Sequence, residues 1–78
     1  MDIKVSEALW ASSIIPLGVL NRWLADDGAL VQGGERIAEI RIEGALHEIT
    51  APIKGHLARS ARTNEIVQPG SVLGQLTP

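Results

Sequence analysis

Seventy-eight residues, no cysteine, two tryptophans as the only aromatics, and seven basic against nine acidic side chains for a net charge of −2 exclude several classes at once. Disulfide frameworks, cysteine zinc sites and thiol nucleophiles lack their atoms, and scattered Lys and Arg form neither a phosphate-neutralising stripe nor a polybasic membrane anchor. An apolar content of 45%, mostly Ile, Leu, Val and Ala, suits a small aliphatic core built without staples.

The chain opens on Met1-Asp2-Ile3-Lys4, a charge pair where a secretory leader would carry a basic region and an apolar run. A first short strand is predicted over Ile3 to Ser6. The longest apolar run, Ile14 to Leu20, contains Pro16 and Gly18 and stops at Asn21, far short of a membrane span. The expectation is a chain that contacts neither membrane nor nucleic acid, and a cytoplasmic location.

A strand is predicted over Val19 to Leu24; a helix over Val19 to Ala25 would be too short and too closely flanked by glycine. Asp26-Asp27-Gly28 and Gly33-Gly34 read as turns, the latter without the following helix that a phosphate cradle requires. From Ile37 to Ile42, Ala38, Ile40 and Ile42 share one parity while Glu39, Arg41 and Glu43 share the other, as in a half-buried strand. Glu43-Gly44 then suits a tight type I′ turn, and a partner strand follows until Ala51-Pro52. Two more short strands, Gly55 to Arg59 and Val72 to Leu76, flank the Pro69-Gly70 turn. Many short strands punctuated by Gly and Pro predict an all-β sandwich or barrel.

An internal repeat refines this expectation. A shift of 36 positions lays Leu30 to Ile40 over Ile66 to Leu76, with Val31/Val67, Gln32/Gln68 and Gly34/Gly70 identical. Upstream, a shift of 37 pairs Gly18 with Gly55, Leu20 with Leu57 and Arg22 with Arg59, which places the one-residue difference in the linking loop. Two copies are too few for a solenoid and suit two interlocked halves about a pseudo-two-fold axis. The organisation predicted is one domain over residues 1–78, with halves at about 18–42 and 55–76 and a hairpin turn at 43–45.

Over nearly its whole length the chain resembles the lipoyl- and biotinyl-attachment domains, with a slight lean to the lipoyl domains of 2-oxo acid dehydrogenase acyltransferases. The resemblance rests on Gly18-Val19-Leu20-Asn21-Arg22-Trp23-Leu24 with Asp27 to Val31, on Gly33 to Ile40 entering the hairpin, and on Glu48 to Gly55 leaving it. It implies a flattened barrel or sandwich of two four-stranded antiparallel sheets, with the modified lysine displayed on the hairpin turn. Counting forward from Ala38-Glu39-Ile40 or back from Ala51-Pro52 leads to Gly44 at that position, flanked by Glu43 and Ala45. Attachment of lipoyl or biotin needs a lysine amine that attacks an activated carboxyl, so neither cofactor is expected here. Lys4 and Lys54, the only lysines, fall on the first strand and at another loop.

The expectation is therefore a lipoyl/biotinyl-like domain without its lysine, a non-catalytic binding or assembly module whose partner is a protein, such as an acyl- or carboxyl-transfer enzyme complex. The alternative is a true carrier, modified at Lys4 or Lys54 or bearing an engineered glycine. In the resembled family the segment Ser12 to Leu17 helps partner enzymes recognise the domain, and here it is apolar. Ile14, Ile15 and Leu17 either fold inward or form, with Trp10, an exposed surface for a partner. His47 and His56 fit no zinc spacing, and His47 is expected to point inward and hydrogen-bond locally. Ser12-Ser13 and Ser60 lack the glycines of a nucleophile elbow, so no catalytic residue is expected.

Overall fold

The computed structural model describes residues 1–78 and is all-β, with two four-stranded antiparallel sheets packed face to face. The strands are β1 (Asp2–Lys4), β2 (Gly18–Trp23), β3 (Leu30–Val31), β4 (Arg36–Ile42), β5 (Ala45–Thr50), β6 (Gly55–Arg59), β7 (Ile66–Val67) and β8 (Val72–Thr77). One sheet runs β1-β8-β6-β3 and the other β5-β4-β2-β7. Advancing every strand number by four converts the first order into the second, so the repeat in the sequence is a repeat in the topology. The sheets do not close on each other, and the molecule measures 36 × 20 × 16 Å, a flattened sandwich. No helix is long and apolar enough to cross a membrane.

Alternation builds the interior. Leu20, Ile40, Ile42, Ile49, Leu57, Val67, Leu73 and Leu76 point between the sheets, within a core of 16 buried apolar residues. Outward positions on the same strands carry Arg22, Arg41, Glu48 and Gln75, which are exposed. Glu39 also sits on the outer face but is largely covered: Arg22 donates to its Oε1 at 2.9 Å and Asn21 to its Oε2 at 3.2 Å. The hydrogen bond from the Arg22 guanidinium holds the Glu39 carboxyl below its usual pKa, partly opposed by desolvation.

Four features depart from the sequence-based expectation. The first strand ends at Lys4 because Ser6 caps a 3₁₀ turn, Glu7–Trp10, accepting the Ala8 N–H on its hydroxyl at 3.2 Å. β3 and β7 are strands of two residues each, too short to show any alternation. Arg36 heads β4, one position before the apolar pattern begins.

The fourth departure concerns the repeat. Seven positions separate Trp23 from Leu30 and also Arg59 from Ile66, so the linking loops are equal in length. The extra residue lies in β2, where the pairing with β4 shifts register between Leu20 and Arg22, while the β6–β8 pairing runs without a break. A bulge, not a loop, absorbs the difference. It makes Trp23, rather than Arg22, the structural counterpart of Arg59. The two counterparts touch: the Arg59 guanidinium lies 5.6 Å from the Trp23 ring centroid. Trp23 Nε1 donates to the Ala61 carbonyl at 3.0 Å, and Arg59 Nη1 makes the matching bond to Ala25 at 3.4 Å. These contacts join the two halves where the counterpart strands β2 and β6 meet.

Candidate functional site

The β4–β5 hairpin is tight. Ile42 pairs with Ala45, which leaves Glu43 and Gly44 as a two-residue loop with φ of +48° and +83°. Positive φ at both central positions is the type I′ geometry, whose twist matches the flanking strands. Gly44 takes the second position without steric cost, and a Cβ built there would meet nothing within 4 Å. Glu43, Gly44 and Ala45 are all exposed. The turn thus presents a carboxylate and a bare backbone.

Neither lysine is near it. β5 leads away from the turn for six residues, a span of roughly 17 Å at about 3.3 Å per residue. Lys4 lines a depression with Thr50 and Pro52 at the far end of that strand, and Lys54 follows beyond Pro52. The tip offers no amine, so its residues do not fit an attached lipoyl or biotinyl group.

The loop from Ala11 to Leu17 flanks this turn, and Glu43 forms a ridge between two depressions. On one side a cavity of about 340 Å³ is lined by Leu9, Ser12, Ser13, Ile42, Glu43 and His47 among others. On the other a depression of about 240 Å³ is lined by Leu17, Gly18, Val19, Arg41, Glu43 and Ile66. Between them the loop is turned outward: Ile14 is 94%, Ile15 56% and Leu17 43% exposed. The three side chains are therefore exposed and do not fold inward. Five of the nine large exposed hydrophobics (Ile14, Ile15, Leu17, Leu46 and Ile66) belong to this end of the molecule, a concentration that isolated surface hydrophobics do not show.

Trp10 is not part of that surface. The 3₁₀ turn carries its ring into the core at 7% exposure, where its Nε1 lacks a hydrogen-bond partner. A large aromatic side chain contributes more by filling the core of so small a domain than by remaining in water. The sequence places Trp10 beside the apolar loop, and the 3₁₀ turn of which Trp10 is the last residue has no periodicity that would separate the two.

The histidines are separate. His47 has the expected inward parity on β5 and is half-buried against the larger cavity, but the expected local hydrogen bond to its ring does not form. His56 is exposed on β6 of the other sheet, its Nδ1 3.4 Å from the Gly28 carbonyl. Arg41 and Ile66 line the smaller depression and are not among the residues expected from the sequence. Their signal was available in the outward parity of Arg41 on β4, but Ile66 required the β2–β7 register. Compared with known proteins, the chain matches no protein-family model and no curated protein.

Proposed function

We propose that this chain is a lipoyl/biotinyl-like domain that lacks its modifiable lysine and acts as a non-catalytic binding or assembly module for enzymes handling acyl or carboxyl carriers. One observation carries the reading. The hairpin stands fully formed at the end of a two-sheet sandwich whose halves repeat, its turn holds Gly44 where the resemblance would put a lysine, and an exposed apolar loop lies beside it. A turn relieved of its lysine keeps its shape as a type I′ hairpin, and Ile14 and Ile15 supply the contact area. A cytoplasmic location belongs to the same proposal, in keeping with the absence of cysteine.

The test separates contact from stability. Replacing both Ile14 and Ile15 by Ser is expected to leave the urea midpoint unchanged, each exposed site being worth less than about 0.5 kcal/mol. The same double variant is expected to lower the recovery of a lipoate- or biotin-dependent enzyme complex from the native cell by at least about tenfold, the loss of roughly 1.4 kcal/mol of contact energy. Undiminished recovery of that complex with the variant would contradict the reading, as would the failure of any such complex to co-purify with the unaltered chain.

A further inference from the structure

The outer face of the β5-β4-β2-β7 sheet carries a row that crosses all four strands. Leu46 pairs with Arg41, Arg41 with Val19, and Val19 with Ile66. Leu46 and Ile66 are 56% and 64% exposed, so the row is an apolar strip with one guanidinium set in it. One step nearer the tip, Glu43 continues the line of Arg41 and Leu17 continues that of Val19, and all four line the depression of about 240 Å³. The ion pairs of the chain are Arg22–Glu39 and Arg36–Glu48; Arg41 and Glu43, like most of the chain's charges, belong to neither, and what distinguishes them is their place in the apolar strip.

This arrangement is self-complementary. Glu43 and Leu17 lie just beyond the ends of β4 and β2, each two residues from its partner Arg41 or Val19 and lining the same depression. A two-fold axis lying across the strands, midway between the two rows, would set Arg41 of one copy over Glu43 of the other and Leu17 of one over Val19 of the other. Each contact then occurs twice, as an isologous interface requires. Both unpaired charges find a partner and the exposed apolar strip is covered.

We propose that this face binds a second copy of the chain, forming a two-fold dimer held by reciprocal Arg41–Glu43 pairs within an apolar surround of Leu17, Val19, Leu46 and Ile66. The inference rests on reading the tip end as a contact surface, but not on the identity of any enzyme partner. Charge complementarity at such a face fixes register and excludes misaligned pairings.

Sedimentation velocity over a concentration series tests it with the purified full chain. The unaltered protein is expected to pass from monomer to dimer as concentration rises. Arg41→Glu alone and Glu43→Arg alone are each expected to weaken the dimer by at least tenfold, with circular dichroism reporting whether the variants remain folded. Two combinations are expected to restore association: the double variant Arg41→Glu with Glu43→Arg, and an equimolar mixture of the two single variants, in which every facing pair is again opposite in charge. A monomer at all concentrations would overturn the proposal, as would a dimer indifferent to the single reversals or a mixture that fails to associate. The proposed function is judged separately, on attached mass and on the complex recovered through Ile14 and Ile15. A monomeric, unmodified chain would remove the dimer alone, and a modified dimer would remove the functional reading alone.

Discussion

A Gly44→Lys variant is expected to be modified by a lipoate or biotin ligase to which the unaltered chain is inert, a change from no attachment to measurable attachment. The reason is geometric. The hairpin already projects from the sandwich, Glu43 and Ala45 are exposed on either side, and a side chain at Gly44 would enter open space. The cost is conformational: at φ of +83° an L-residue is less favourable than glycine by about 1–2 kcal/mol. The variant should therefore be slightly less stable and still folded, with the new amine free to attack an activated carboxyl. Lys54→Arg, made in the same background, should not change the result, because Lys54 lies past the far end of β5. Intact-mass measurement after incubation with ligase, cofactor and ATP reads the outcome. A folded Gly44→Lys protein that neither ligase modifies would show that the tip does not have the recognition geometry of the resembled family.

Gly74→Ala is expected to cost about 3 kcal/mol, a major part of the stability of a domain this size. Gly74 pairs with Arg59 where β8 crosses β6. A Cβ at this position would collide with the Ala58 carbonyl oxygen and lie 3.3 Å from the Ala58 carbonyl carbon and 3.4 Å from the Arg59 Cα. All three atoms are backbone, so no side chain can rotate away. The strands would have to separate next to Leu57, Leu73 and Leu76, each at most 1% exposed. The repeat supplies an internal comparison. The counterpart of Gly74 is Ala38, which keeps its Cβ, fully buried, opposite the part of β2 where the bulge changes the backbone path. Urea denaturation measures the effect, and a midpoint equal to that of the unaltered chain would refute the packing described.

Particular residues show what was readable from the sequence. The β4–β5 hairpin was, because Ile40 and Ile42 alternate with Glu39 and Arg41 and because Glu43-Gly44 is a turn with a mechanism. The two-sheet architecture followed from the repeat together with the resemblance, and the strand order bears it out. The burial of Trp10 was not readable, since a four-residue 3₁₀ turn capped by one serine has no periodicity to detect. Nor was the bulge: a one-residue difference between repeats is visible in an alignment, but its position depends on which pairing register gives the better packing. The orientation of Ile14 to Leu17 was undetermined for a related reason. Apolar residues in a loop carry no parity, and exposure there is decided by how much core the strands have already filled.

The same limit applies to the surface. The row Leu46, Arg41, Val19 and Ile66 joins the β4–β5 hairpin to two strands distant from it in sequence, and only the register of three strand pairings brings it together. From the sequence, Arg41 is a charged residue on an outward parity; in the fold it is a lone cation within an apolar strip, with Glu43 two residues on, in the turn that ends β4.

The central claim is that a carrier-like scaffold carries nothing, and the intact mass of the chain isolated from its native cell tests it most directly. A mass carrying no increment equal to a lipoyl or biotinyl group, with the peptides that contain Lys4 and Lys54 at their unmodified masses, is the expected result. An added mass equal to a lipoyl or biotinyl group, localised by fragmentation to Lys4 or Lys54, would contradict it and identify the chain as a carrier that uses a lysine outside the hairpin.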